Sequence, residues 1–324
     1  MLIPRRQTFT TTEIDDAESV DAWERHNSTA LIELACTVPD GRPFRARELN
    51  VELDQLRLAR VNGTAHTVAR DEKMIAERPG AAIAAYAALR GEALLECNGK
   101  RQIIRPGHVV ICDVDRPFLR GFGHGLLELA VKVPRSSFAA VSGVEDLADP
   151  VIVDSEQDPF ARALIRLVGR AVNASVPLPV DEDAALGLVA MLATEGRTAA
   201  RTAHLATARL YIDDHLTDPN LSAGEVARGA GLSERQLSRL FSQANTSVPR
   251  QILARRLDLA YAFLSQGIGE RTVDTAARCG FISQAYFAES FRKRFGVTAS
   301  QVLHQSRTPV RAGRDPGGRH AVHT

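Results

Sequence analysis

Glu225-Val226-Ala227-Arg228-Gly229-Ala230-Gly231-Leu232-Ser233, continued by Leu237, Arg239, Leu240 and Phe241, is followed about fifty positions later by a second version of itself. That version reads Asp274-Thr275-Ala276-Ala277-Arg278-Cys279-Gly280-Phe281-Ile282-Ser283, continued by Phe287 and Phe291. Ala227, Gly231 and Leu232 align with Ala276, Gly280 and Phe281; after one inserted residue, Ile282, the residues Ser233, Leu237 and Phe241 align with Ser283, Phe287 and Phe291. Each shared position has a steric or hydrogen-bonding reason. A small Ala lets one helix lie close against the next, and Gly ends it in the left-handed conformation that a side chain would penalise. Leu232 or Phe281 plugs the corner, and Ser233 or Ser283 caps the following helix by accepting from its free N–H groups. With Leu237 and Phe241, or Phe287 and Phe291, turned inward four residues apart, the opposite stripe of that helix is left for a DNA groove. One such pattern describes many helical hairpins in a core; two in register predict paired helix-turn-helix motifs that hold double-stranded DNA. Between them, Val248 to Gln266 carries Ile252, Leu253, Leu257, Leu259, Ala260, Phe263 and Leu264, which predicts one long helix packed against both copies.

From roughly Leu205 to Leu303 the sequence resembles the DNA-binding domain of the AraC/XylS family of bacterial transcription regulators. The carrying residues are Ala227, Gly231, Leu232, Ser233, Leu237, Arg239, Phe241 and Pro249, then Arg255-Arg256-Leu257, then Ala276, Gly280, Phe281, Phe287, Phe291, Phe295 and Gly296. The resemblance implies that one reader helix from each motif enters successive major grooves on one face of the duplex. Three departures, Thr246 for a usual Gly, Thr275 for a usual Ile and Ala299 for a usual Pro, affect local stability and leave both readers in place. Glu289 departs differently, because a carboxylate on the exposed face of the second reader repels phosphate. Either it accepts from a cytosine amino group, or the second reader grips DNA less tightly than the first.

Candidate base contacts on the first reader are Arg235, Ser238 and Arg239. Arginine can bond guanine O6 and N7 together, although one of the two arginines could hold a phosphate instead. On the second reader they are Gln284, suited to adenine, Ala288, suited to a thymine methyl, and Glu289. Ser233, Arg250, Ser283, Arg292 and Lys293 are the candidate phosphate contacts, which position the protein without reading sequence. For Arg250 and Lys293, plain surface charge is the competing reading.

The chain has 324 residues, 44% hydrophobic and 24% charged, enough for two domains of ordinary composition. Its net charge of +1 conceals an asymmetry. Residues 204–310 hold 13 Lys and Arg against 9 Asp and Glu, whereas residues 1–203 hold 24 against 29, so the basic part is the part with the readers. No apolar run approaches the ~18 residues of a membrane span, and the N-terminus lacks a signal core, so a cytoplasmic protein is expected. Cys36, Cys97, Cys112 and Cys279 show no metal-ligand spacing; isolated buried thiols are the default, with redox sensing as the alternative.

The N-terminal part reads as β. Ala82 to Ala87, Ala93 to Cys97, Arg101 to Ile104 and His108 to Cys112 are separated by Gly91, an Asn98-Gly99 hairpin turn and Pro106-Gly107. A further strand is expected at Leu126 to Val133, and earlier ones at Leu53 to Arg60 and Thr64 to Val68. Strands at this spacing suggest a sandwich or barrel. Over roughly residues 20–135, Asn98-Gly99, Pro106-Gly107 and Asp113-Val114-Asp115-Arg116-Pro117-Phe118 make the region similar to the cupin-like effector-binding domain of one branch of the same family. That resemblance implies a barrel with a cavity for a small organic molecule and a dimerisation surface. Trp23, Phe44, Tyr86, Phe118 and Phe122 are candidates to line the pocket or simply to fill the core.

Asp158-Pro159 opens a helix through Val168, and Asp181 opens another through Leu192, a connector that either contacts a second copy or covers the barrel. The organisation expected is therefore α+β: an arm at 1–20, a cupin-like effector and dimerisation domain at 21–140, a helical connector and linker at 141–203, the double helix-turn-helix domain at 204–307 and a disordered tail at 308–324. The function expected is a sequence-specific transcription regulator, an activator by resemblance. It would act as a homodimer on double-stranded DNA with RNA polymerase, under a small-molecule effector, without catalytic residues, metal or cofactor and away from membranes. A repressor or effector-independent regulator is the nearest alternative. A cupin metalloenzyme carrying a DNA-binding module lacks its ligand set, since His66, His108 and His124 stand alone with no His-x-His pair. An architectural DNA-binding protein does not account for the acidic N-terminal part.

Overall fold

The computed structural model describes residues 5–39, 41–174, 180–197, 200–268 and 271–307. Through Asp154 the chain runs β1 (Arg5–Thr10), α1 (Ser19–Ala30), β2 (Ala35–Thr37), β3 (Ala46–Glu52), β4 (Arg57–Gly63), β5 (His66–Arg70), α2 (Glu72–Glu77), β6 (Ala82–Arg90), β7 (Ala93–Cys97), β8 (Lys100–Ile104), β9 (His108–Asp113), β10 (Phe118–Phe122), β11 (Leu126–Pro134), α3 (Arg135–Ser142) and β12 (Val151–Asp154). Helices alone follow: α4 (Pro159–Asn173), α5 (Glu182–Ala193), α6 (Ala200–Asp214), α7 (Ala223–Gly229), α8 (Glu234–Gln243), α9 (Val248–Ser265), α10 (Thr272–Arg278), α11 (Gln284–Phe295) and α12 (Ala299–Arg307). The tail expected to be disordered, 308–324, lies outside the described residues.

The strands form two antiparallel sheets, in the orders β1-β3-β4-β11-β6-β9-β12 and β2-β5-β10-β7-β8. The expected β domain is therefore two open sheets face to face rather than one closed barrel. Alternation along β6 shows how the larger sheet is used. Ala82, Ala84, Tyr86 and Ala88 join Val68, Leu95, Phe118 and Phe122 between the sheets, while Ile83, Ala85 and Ala87 pack the other way with Phe138, Leu164 and Val189 of the helices. A strand buried on both faces needs an uninterrupted apolar run, and Ala82 to Ala88 contains no charged residue. The Asn98-Gly99 turn joins Cys97 to its partner Lys100 with φ of 51° and 70°, the left-handed pair that a two-residue hairpin requires.

Two compact units divide the chain at Arg255 and Arg256, within α9. In the first, Asp158 caps α4 through the N–H groups of Phe160 and Ala161, and Asp181 caps α5 through that of Ala184. α5 is enclosed by its own chain, with Ala185, Leu188, Val189 and Ala190 wholly buried among α3, α4, α6, β9 and β12. It is thus a cover for the sheet and has no apolar face left over for a second copy. α6 begins at Ala200, inside the stretch expected as linker, and packs on α4 and α5 while also touching α7 and α8. Its Ala206 and Leu210 belong to the same apolar core as Leu129 and Val131 of β11. Asp214 of α6 pairs with Arg166 and Arg170 of α4, and Arg209 with Asp181. In the second unit α10, α11 and α12 contact one another.

Candidate functional site

In the first motif both helix starts are closed reciprocally. The Ser222 hydroxyl accepts from Glu225 N–H while the Glu225 carboxylate accepts from Ser222 N–H, and Ser233 and Gln236 repeat the arrangement at the start of α8. Such boxes satisfy two otherwise orphaned donors each. Gly231 turns the corner at φ 67°, and Leu237 and Phe241 of α8 are buried at 1% and 0% exposure. Gly229 has a role that the sequence did not disclose: a Cβ there would stand 1.9 Å from the Tyr211 ring of α6, so only glycine lets α7 approach.

In the second motif Gly280 turns the corner at φ 81°, and Gly296 ends α11 at φ 73°. Ser283 caps α11 by accepting from Tyr286 N–H at 3.3 Å. Phe281, Phe287, Phe291 and Phe295 form a continuous row with successive ring centroids 4.7–5.5 Å apart, and Tyr261 closes on Phe295 at 4.7 Å. Arg294 is held by Asp258 at 2.7 Å, so it serves the fold rather than DNA.

All eleven residues singled out for DNA contact are exposed: Ser233, Arg235, Ser238, Arg239, Arg250, Ser283, Gln284, Ala288, Glu289, Arg292 and Lys293. At 3.6 residues per turn, Arg235, Arg239 and Ser242 lie opposite the buried Leu237 and Phe241, with Ser238 on one flank. Matching Leu237 to Phe287 puts Ala285, Glu289 and Arg292 in the corresponding places, with Gln284 and Ala288 on the flank. Ala285 is therefore a central position that sequence reasoning missed, although aligning the repeat on its buried residues would have found it. Ile282, the inserted residue, and Tyr286 are also exposed, at 83% and 53%. None of Arg235, Arg239 and Glu289 makes a side-chain hydrogen bond or ion pair among the described residues, so none of those residues holds them back from a groove.

A second candidate site lies between the sheets, a small, partly open cavity of about 30 Å³. Trp23, Tyr86 and Phe122 line it; Phe44 stands edge-on behind Trp23 at 5.9 Å, and Phe118 is buried in the same core. Sequence reasoning missed its polar members. Arg120 bonds both oxygens of Glu128, at 3.1 and 2.5 Å, and stacks 4.1 Å from the Tyr86 ring and 4.9 Å from that of Phe122. The alternation Phe118, Arg120, Phe122 along one strand face was the available signal. His66 also lines the pocket, its Nδ1 at 2.7 Å from the Thr64 carbonyl, and burial pushes its pKa down. Nearby, Glu48 is fully buried, neither of its oxygens has a hydrogen-bond partner, and burial pushes its carboxyl up to about 8.

Cys97, Cys112 and Cys279 are buried and Cys36 partly so; burial, aided for Cys36 by Glu24, pushes the Cys36, Cys112 and Cys279 thiols up to about 12. A redox sensor needs the opposite shift. Among the described residues no group of three His, Cys, Asp or Glu could hold a metal ion, and no helix is long and apolar enough to cross a membrane.

A family model described as an AraC-binding-like domain matches residues 23–221, and one described as a helix-turn-helix domain matches residues 226–305. The chain is 22% identical to the transcriptional activator NphR of Rhodococcus sp over 315 residues, 91% of each chain. It is 34% identical to the regulatory protein SoxS of Escherichia coli (strain K12) over 97 residues, 29% of this chain and 88% of that one. Among solved structures, the AraC-like transcriptional activator CuxR superimposes with a TM-score of 0.51 at 18% identity, over 80% of this chain and 96% of that one, a likeness of fold.

Proposed function

This chain belongs to the AraC family of transcription regulators, and from that premise we propose that it is a dimeric activator whose hold on DNA is set by a small molecule in the pocket between its sheets. The observation that carries this reading is the continuity of one apolar core from the larger sheet to α6, the helix that touches the first motif. Val61, Tyr86, Glu128 and Ala130 line the pocket on β4, β6 and β11. The opposite faces of β6 and β11 bring Ala85, Ala87, Leu129 and Val131 into one core with Leu164 of α4, Val189 of α5 and Leu210 of α6. α6 in turn touches α7 and α8. Filling the pocket moves strands whose backs bear on these helices, and a ligand with different affinity for two arrangements of them shifts their populations.

Activation is supported by the relative NphR, a transcriptional activator that matches along nearly its whole length. In this reading residues 21–140 hold effector and partner subunit, residues 204–307 hold DNA, and RNA polymerase is recruited on the bound site. Arg235 and Arg239 read guanines; Ser233, Ser283, Arg250, Arg292 and Lys293 hold phosphates. The regulator works in the cytoplasm and catalyses no reaction of its own.

The test is selection of bound sequences from a random DNA pool by the full-length protein, with Arg239→Ala alongside. The expected result is a motif spanning successive major grooves, present as two half-sites, that loses definition at one position in the variant. A motif unchanged by Arg239→Ala would remove the first reader from the base contacts, and transcription in vitro that falls on addition of protein would make it a repressor.

A further inference from the structure

Strand register places three residues in one row, two of which line the pocket and the third of which lies beside it. Glu48 of β3 is directly opposite Val61 of β4, and Val61 is directly opposite Glu128 of β11. Directly paired residues point to the same face, and two strand spacings set the carboxyl-bearing positions roughly 10 Å apart. Val61 and Glu128 line the pocket, so its open space lies over that end of the row, with Glu48 next to Val61 at its edge.

The polar groups around the row are unevenly matched. Arg120 has both terminal nitrogens committed to Glu128. Glu48 has no such cation: on the α1 side His26 Nε2 lies 3.8 Å from it, but burial pushes the His26 pKa down and the same nitrogen faces the Asn50 amide at 2.9 Å. The remaining groups facing the row are His66 from β5, its pKa also lowered by burial, and the Tyr86 phenol from β6 and the Cys112 thiol from β9, their pKa values both raised by burial. Two carboxyl groups thus share one guanidinium; Glu48 has only the nearby Asn50 amide to favour its carboxylate, at a distance too long for a well-formed hydrogen bond, and Glu48 Oε1 and Oε2, Asn50 Oδ1 and Arg120 Nε are buried without a close partner among the described residues. An anionic ligand would meet carboxylates and no free cation, a costly burial. A cation would let Glu48 give up its proton and supply the partner its carboxylate lacks, and the aromatic faces of Trp23, Tyr86 and Phe122 favour it further.

We propose that the pocket takes a small apolar amine, its ammonium lying over Val61 between the carboxylates of Glu48 and Glu128 and its apolar body among Trp23, Tyr86 and Phe122. The proposal rests on the reading of this pocket as the effector site. It also carries a proton linkage. Without ligand, Glu48 is mostly protonated at pH 7; an ammonium beside it favours the carboxylate, so binding releases a proton, and the release fades as the pH rises past about 8.

Trp23 is the chain's only tryptophan and lines the pocket, so its emission reports occupancy in the full-length protein. The probes are matched sets on two skeletons: phenethylamine, phenylethanol and phenylacetate, then hexylamine, hexanol and hexanoate. Amines are expected to change Trp23 emission at concentrations on the order of tenfold below the alcohols, with the acids inert. Calorimetry in buffers of different ionisation enthalpy is expected to show close to one proton released per amine at pH 7. Glu48→Gln should weaken amines by about tenfold or more and leave alcohols unchanged; if that variant does not fold, proton release by the native protein decides. Acids or alcohols binding as tightly as amines, or amine binding without proton release, would overturn the amine and leave the effector reading standing. Silence from all six probes would overturn the amine and count against the effector reading as well.

Discussion

The first helix-turn-helix motif fixes its helix starts with polar side chains, the Ser222–Glu225 and Ser233–Gln236 boxes, whereas the second relies on a row of four phenylalanines. One substitution accounts for much of the contrast. Where α8 has Gln236 to reach back to its cap, α11 has Tyr286, whose long rigid ring turns outward and leaves the Ser283 N–H without that return bond. Their outward faces differ as well, Arg235 and Arg239 on one and Ala285 and Glu289 on the other. The same turn can be set by local hydrogen bonds or by core volume, so the requirement common to both copies lies in the buried pair and the glycine, and the groove-facing residues are free to diverge.

The largest effect that would break this comparison is on stability. Phe291 is fully buried at the centre of the ring row. Phe291→Ala is expected to cost about 3–5 kcal/mol, against about 1 kcal/mol for loss of a serine cap in the first motif. Denaturant unfolding would measure both. Equal costs would mean that the aromatic row does no more for the second motif than a cap does for the first.

These motifs were legible in the sequence because every element of them is local: a glycine, a serine, and apolar residues four apart. The Asn98-Gly99 hairpin and the Asp158-Pro159 helix start were legible for the same reason. The pocket was not. Arg120 and Glu128 are on strands of different sheets, so their pairing depends on which sheet faces which. The row Glu48, Val61 and Glu128 depends on the register of three strands, one of which, β3, carries the mixed sequence Ala-Arg-Glu-Leu-Asn-Val-Glu with no strand signal of its own. By contrast α5, with no charged residue from Ala184 to Ala193, does announce a helix enclosed on every side, though not that α3, α4 and α6 are what enclose it.

The next largest effect concerns what each reader recognises. Arg235 and Arg239 need guanine O6 and N7, while Ala285, Tyr286 and Ala288 offer carbon surface that suits thymine methyls. Replacing guanine by 7-deazaguanine in the half of the site bound by the first reader should weaken binding by about 1–3 kcal/mol for each arginine–guanine pair it disrupts. Replacing thymine by deoxyuridine should act in the other half only, and less strongly. The comparison of the two readers fails if both analogues act on the same half, as read by competition against unmodified DNA.

Glu289 is expected to give the smallest effect and the finest distinction. It occupies the place that Arg239 has on the first reader, is exposed, and has no partner among the described residues. Arg292 and Lys293 follow it by three and four positions, the spacings at which opposite charges on a helix attract by about 0.2–0.5 kcal/mol per pair. In free protein the carboxylate therefore draws on the cations that phosphate would use. Glu289→Gln removes this competition and the repulsion of phosphate together. Affinity is expected to rise by roughly 2–10-fold on all sequences, with a steeper salt dependence because two cations are released to the backbone. A cytosine contact predicts the reverse: affinity falls on the preferred site only, and discrimination relaxes at one base pair. Titrations of the preferred and a scrambled site at two salt concentrations separate the two. A rise on both makes the second reader a weaker clamp that lends length to the site, and a fall on one makes it a second source of sequence information.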